Sequence, residues 1–108
     1  MIFIKINNTL YPATVSGRVA DRDWDNRESK SINIEMDYAT AIKLFVNGLA
    51  WSIVEQFEID SEIHETEYDN SEYNLAGDLT IHTNGTCTVK MGKPTDLENA
   101  YEMLYGGI

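Results

Sequence analysis

Apolar residues recur at every second position through most of this chain, and that spacing restricts it to a sheet-dominated fold. Ile2, Ile4 and Ile6 fall on one face of an extended segment, as do Val15, Gly17 and Val19. Ile32, Ile34 and Met36 repeat the pattern, alternating with Ser31, Asn33 and Glu35. Trp51, Ile53, Phe57 and Ile59 continue it, interrupted by Glu55. Successive side chains of a strand point to opposite faces, so this alternation predicts strands packed on one side and wet on the other, as in antiparallel sheet. Leu79 and Ile81 are set to pair with Cys87, Val89 and Met91 across Asn84-Gly85. Asn-Gly between alternating segments is a strong hairpin signal, because a tight turn needs positive φ at both central positions.

Two segments switch to helical spacing. Tyr38, Ala41, Ile42, Phe45, Val46 and Leu49 trace one face of a helix, with Asp37 as N-cap and Asn47-Gly48 as stop. Leu97, Ala100, Tyr101, Leu104 and Tyr105 trace a second, after Pro94. Thr95 and Glu98 are spaced as a capping box, and Gly106-Gly107 closes the segment. The order β-β-β-α-β-β-β-α predicts a single α+β domain over residues 1–108. Its sheet is expected to be mainly antiparallel and twisted, of about six strands, with the two amphipathic helices on one face. Strand 31–36 is free to run parallel or antiparallel to strand 51–59, since the connection over 38–50 is long enough for a crossover.

The 43% apolar content excludes a disordered acidic chain. A net charge of −10 argues against a nucleic-acid binder, which needs a basic stripe against phosphates, and against a polybasic membrane anchor. Apolar runs such as Leu44-Phe45-Val46 fall far short of a membrane span, and Met1–Ile6 does not resemble a signal peptide. The triplets Asn7-Asn8-Thr9 and Asn84-Gly85-Thr86 therefore carry little weight as glycosylation sites. One cysteine, Cys87, excludes an intrachain disulfide and a Cys-rich zinc site; its place on an apolar strand face predicts a buried thiol.

The charge is concentrated. Between Leu44 and Val89 there is no lysine or arginine, while Glu55, Glu58, Asp60, Glu62, Glu65, Glu67, Asp69, Glu72 and Asp78 all fall there. Such a stretch is either a solvated face whose charge blocks edge-to-edge pairing, or a surface for a basic partner. A cation site is a third reading. Asp21, Asp23 and Asp25 alternate like the start of an EF-hand loop, but Asn26 stands where its glycine belongs and Ile32 where its final glutamate does. The segment reads instead as a polar hairpin end held by Arg22 and Arg27, with Trp24 lying on the domain or serving as an interface anchor.

Catalytic signals are missing. His64 and His82 have no ligand or triad spacing, and Met91-Gly92-Lys93-Pro94-Thr95 lacks the upstream glycine of a phosphate loop. No catalytic, cofactor or metal-binding residue is expected. Tyr68 and Tyr73 flank Asp69-Asn70-Ser71-Glu72, read as a turn between a long acidic strand and one beginning near Leu75. Paired aromatics there would clamp a hairpin end or supply contact area.

Three segments together, residues 20–30, 68–73 and 89–95, resemble small proteins encoded in prophages and phages of Gram-positive bacteria. The resemblance implies a virion part, an assembly factor or a host-directed inhibitor, in the bacterial cytoplasm or the virion. It transfers no site residue. The leading expectation is a non-enzymatic structural or interaction protein of phage origin, tail- or virion-associated. It would act on protein partners, basic ones included, or on copies of itself, without binding nucleic acid or membrane directly. Its contact residues would be Trp24, Arg27, Glu58, Glu62, Glu65, Glu67, Tyr68 and Tyr73. The alternative is an acidic nucleic-acid mimic that inhibits a DNA-binding host protein. The third is a divalent-cation module using Asp21, Asp23 and Asp25.

Overall fold

The structure, a computed structural model, describes residues 1–106. The alternating segments form β1 (Ile2–Ile6), β2 (Thr9–Asp21), β3 (Arg27–Glu35), β4 (Ser52–Ile59), β5 (Glu62–Asp69), β6 (Leu75–Ile81) and β7 (Thr86–Gly92). Helix α1 (Tyr38–Leu44) follows β3, and α2 (Asp96–Tyr101) follows β7 and runs into a π-helical turn, Glu102–Gly106. The fold is α+β, with seven strands in the order β5-β4-β1-β2-β3-β7-β6 and every pairing antiparallel.

The expectation of about six strands is corrected by β5. The acidic stretch breaks at Asp60-Ser61, where both residues take positive φ (52° and 67°) and turn the chain back on itself. Asn7-Asn8 closes β1 onto β2 in the same way (51° and 66°). These are two-residue hairpin turns built without glycine, which is why turn spacing alone did not mark them. At the glycine-containing turn, only Gly85 is left-handed (φ 87°); Asn84 contributes its side chain, which accepts from the Thr86 amide and hydroxyl. Beyond it Leu79 pairs with Val89 and Ile81 with Cys87, as the alternation predicts.

Strand β2 serves two neighbours in turn. Thr9–Pro12 pairs with β1, and Ala13–Asp21 pairs with β3, with an irregularity between Arg18 and Asp21. Strands 31–36 and 51–59 are not neighbours; β4 lies against β1. Cross-strand partners share a face, so Ile4, Ile6, Ile32, Ile34, Cys87, Val89 and Met91 line one side of the sheet, all at most 1% exposed. Burying each such side chain contributes about 1.5–3 kcal/mol before the entropy of ordering it. The Cys87 thiol donates to the Met36 carbonyl at 3.2 Å.

Residues 70–74 carry the chain from β5, at one sheet edge, to β6, at the other. They are tied down on the way. The Asn70 amide donates to the Trp51 carbonyl (2.9 Å), the Trp51 indole to the Tyr73 carbonyl (2.9 Å), and the Gly48 amide to the Asn74 carbonyl (2.8 Å). Tyr68 and Tyr73 therefore flank a crossover and do not clamp a hairpin.

Helix α1 is shorter than its spacing predicts, and both helices are less buried. Asp37 caps α1 through the Thr40 amide and hydroxyl, but the helix ends before Phe45, and Val46–Leu49 forms a turn around Gly48 (φ 89°). Ala41, Leu44 and Phe45 face the core, while Tyr38, Ile42 and Val46 remain exposed. The Thr95–Glu98 capping box forms as read. The apolar row it introduces is not buried: Leu97, Tyr101 and Leu104 lie in solvent. Gly107, expected to help close this helix, lies outside the described residues.

Candidate functional site

The turn between β2 and β3 gathers its charges inward. The Asp21 carboxylate is fully buried and accepts from Lys90 Nζ (2.9 Å), Ser29 Oγ (3.0 Å) and the Asp23 amide (3.1 Å). The Lys90 ammonium, with these hydrogen bonds, holds it below the usual carboxylate range against the opposing effect of burial. Asp23 and Asp25 remain exposed, so the three alternating aspartates do not converge. Among the described residues, no three His, Cys, Asp or Glu side chains are grouped to hold a metal ion.

Arg27, 4% exposed, donates to the carbonyls of Trp24 and Lys93 and makes a two-pronged pair with Glu98 (2.8 and 3.0 Å). That pair anchors the start of α2, and it holds the Glu98 carboxyl down at about 2. Trp24 is half-buried against the outer face of the sheet, with the Arg27 guanidinium 4.8 Å from its ring centre. A Cβ on Gly77 or Gly92 would come within 2.8 Å of the indole, so this close approach requires glycine at both positions. Trp24 and Arg27 thus make their contacts inside the molecule.

Tyr73 is equally committed. It is 7% exposed, its hydroxyl donates to Glu28, and Lys30 and Lys93 sit 4.6 and 5.0 Å from its ring centre. Burial, then the Glu28 carboxylate, pushes the phenol above its ordinary value. Lys93 bridges Glu28 (2.8 Å) and Glu72 (3.3 Å). A groove of about 590 Å³ runs between α2 and the end of the crossover, lined by Leu75, Pro94, Leu97 and Tyr101, with the paired Glu98 at its wall.

The β4–β5 hairpin is different. The Met1 ammonium donates to the Gln56 carbonyl and the Gln56 amide donates back to the Met1 carbonyl, both at 2.8 Å. Past that point, among the described residues, β4 has only β5 paired beside it, through the pairs Phe57–His64, Glu58–Ile63 and Ile59–Glu62. Residues 57–64 therefore form a two-stranded arm. Phe57, Ile59 and Ile63 on it are 41%, 51% and 74% exposed, and the Phe57 ring stacks on His64 with centres 5.7 Å apart. Phe57 and Ile59 extend the face that is buried elsewhere in the sheet; Ile63 points to the other side.

Of the nine carboxylates between Leu44 and Val89, seven lie in this hairpin: Glu55, Glu58, Asp60, Glu62, Glu65, Glu67 and Asp69. They do not share one face. Glu58, Glu65, Glu67 and Asp69 lie on the outer side, and Glu55 and Glu62 on the core side. Nearer the body some are engaged: Lys5 pairs with Glu67 at 3.0 Å and holds its pKa down, Gln56 donates to Glu65, and Ser71 donates to Asp69. Tyr68 is half exposed beside Ile53. Glu58, Glu62, Glu65, Glu67 and Tyr68 thus share one hairpin but not one face, Glu62 and Tyr68 lying on the core side and the other three on the outer side, whereas Trp24, Arg27 and Tyr73 are held elsewhere. The exposed apolar residues Phe57, Ile59 and Ile63 were not singled out from sequence as contact residues. The signal lay in their interleaving with glutamates on both faces.

Among the described residues, no helix is long and apolar enough to cross a membrane. Comparison of the chain with protein-family models, curated proteins and solved structures finds no match.

Proposed function

We propose that this chain is a non-enzymatic interaction protein whose contact element is the β4–β5 arm, directed at a basic surface of a protein partner. One observation carries the reading: Phe57, Ile59 and Ile63 are exposed on a two-stranded projection that carries three carboxylates, Glu58, Asp60 and Glu62, and no lysine or arginine. Apolar anchors ringed by like charge combine contact energy with steering toward a cationic surface. The resemblance of the three segments to phage-encoded proteins supports a virion or assembly setting.

The test compares the full chain with a variant in which residues 57–64 are replaced by a two-residue turn. Protein captured from host or induced-prophage extract by the full chain but not by the short-arm variant supports the reading. Identical capture by both removes it.

The nucleic-acid-mimic reading draws on the outer row of β5, where Glu65, Glu67 and Asp69 recur at about 6.8 Å intervals. Lys5 neutralises the middle of that row, which weakens it. Competition with DNA for a captured partner, relieved by salt and lost on reversing Glu58, Glu62, Glu65 and Glu67, would favour it over the leading reading.

A further inference from the structure

The chain contains two Asn-Gly dipeptides, Asn47-Gly48 and Asn84-Gly85. Asparagine ahead of glycine can react with its own main chain. The glycine nitrogen attacks the asparagine side-chain carbon, and with no Cβ on the glycine nothing crowds the approach. The two sites are closely matched. All four residues are exposed, and both glycines are left-handed, Gly48 at φ 89° and Gly85 at φ 87°. An added Cβ would meet no atom within 4 Å at either. Each asparagine side-chain oxygen accepts from a main-chain amide: Asn47 Oδ1 from Ala76 at 2.8 Å, Asn84 Oδ1 from Thr86 at 3.2 Å.

They differ at the nucleophile. The Gly48 N–H donates to the Asn74 carbonyl at 2.8 Å, which ties it into the crossover. Its nitrogen can act only after that bond opens. The Gly85 N–H, among the described residues, donates to no protein group. It lies in the turn between β6 and β7, open to solvent base. The Asn84 side chain is also better prepared. Its Oδ1 accepts a second hydrogen bond, from the Thr86 hydroxyl at 2.7 Å. Two donors on one carbonyl oxygen draw charge away from Cγ and stabilise the oxyanion that forms when that carbon is attacked.

We propose that Asn84 is a site of spontaneous deamidation in the folded protein, with Gly85 as nucleophile and Thr86 as activating group, and that the fold protects Asn47. The Gly85 nitrogen gives its proton to hydroxide and bonds to Asn84 Cγ. The bond from Cγ to Nδ2 breaks, and Nδ2 takes a proton from water and leaves as ammonia. The cyclic imide that remains is opened by water at one of its two carbonyls. Opening at Cγ gives aspartate at position 84, and opening at the main-chain carbonyl gives isoaspartate, with the chain routed through Cβ and Cγ. Either product adds a negative charge. Isoaspartate also lengthens the main chain beside the bond from the His82 amide to the Thr86 carbonyl (3.0 Å) that closes the turn. The site lies at the sheet edge opposite the β4–β5 arm, so it stands or falls independently of the arm's role.

The test ages the full chain in mildly alkaline buffer, folded and in guanidinium chloride. Both dipeptides are then mapped by mass spectrometry, with isoaspartate scored by enzymatic carboxyl methylation. In denaturant Asn47 and Asn84 should convert at similar rates. In the folded chain Asn84 should continue to convert, while Asn47 should slow by about tenfold or more, the cost of first opening its hydrogen bond. Thr86→Val removes the activating hydroxyl and should slow Asn84 by about threefold in the folded chain, leaving its rate in denaturant unchanged. Equal rates at the two asparagines in the folded chain overturn the assignment, as does an Asn84 that folding protects as strongly as Asn47. An unchanged folded rate in Thr86→Val overturns the role given to its hydroxyl.

Discussion

The β2–β3 and β4–β5 hairpins both end in acidic turns with left-handed backbone and an aromatic residue nearby, yet one is folded into the protein and the other projects from it. What separates them is the company each keeps. Around Asp21 and Trp24 the sheet supplies cations at Arg27 and Lys90 and bare backbone at Gly77 and Gly92. The carboxylate is paired and the indole has a flat seat. Around Phe57 and Glu58 there is neither: Lys5 reaches only as far as Glu67, and no glycine lets a ring approach the main chain. An acidic, aromatic turn is therefore structural or interactive according to what the strands beside it provide.

The largest expected effect breaks the comparison from the packed side. Arg27→Met removes the donors to Trp24, Lys93 and Glu98 together and should cost about 2–3 kcal/mol in urea unfolding, less than a fully buried pair because Glu98 is partly exposed. Next, Gly92→Ala puts a methyl 2.7 Å from Arg27 Cδ and 2.8 Å from the indole. It should cost about 1–2 kcal/mol by overpacking and shift the Trp24 emission, while the same change at the exposed Gly85 should leave that emission unmoved.

Acid should separate the two ends as well. Glu98 titrates at about 2 in the folded chain against an ordinary 4.5, so the folded state binds its proton more weakly than the unfolded state. Its contribution is full above the unfolded value and is lost as pH falls from about 4.5 to about 2. Glu28, lowered by Lys93, changes stability in the same direction. Screening at the half-exposed Glu98 limits its share to about 1 kcal/mol, read as a falling urea midpoint that Arg27→Met flattens. The smallest effect belongs to the arm: Phe57→Ser with Ile59→Ser should change stability by no more than about 0.5 kcal/mol while abolishing partner capture. A large loss of stability there would make the arm a packed element and remove the contrast.

Period-two alternation made the pairing of β6 with β7 legible, because a buried face one residue out of register would be polar; the neighbours of β3 were not. The capping box at Thr95 was legible for the same local reason. Placement was not. The spacing of Leu97, Tyr101 and Leu104 describes a helix with an apolar side, but whether a surface is there to receive it depends on β6 and the crossover. The turn at Asp60-Ser61 was hidden because its left-handed residues are aspartate and serine. Tyr68 and Tyr73 looked like two sides of one hairpin because only their separation is visible locally, whereas β5 and β6 end at opposite edges. Arg27 reads locally as a partner for the carboxylates of its own hairpin, because its two-pronged partner Glu98 lies 71 residues away. The candidate site was therefore half legible: the acidic stretch, but not the hairpin it folds into or the apolar residues it carries.

The place of β1 also bears on how the chain comes into being. Its second neighbour lies more than half the chain downstream, the Met1–Gln56 pair spanning 55 positions. On a growing polypeptide, β1 and β2 can close their turn at once, but Ile2, Ile4 and Ile6 then wait beside an unoccupied edge until β4 has left the ribosome. During that interval the future middle of the sheet is a margin, and any chaperone or neighbouring nascent chain that pairs with it competes with β4 for the same backbone.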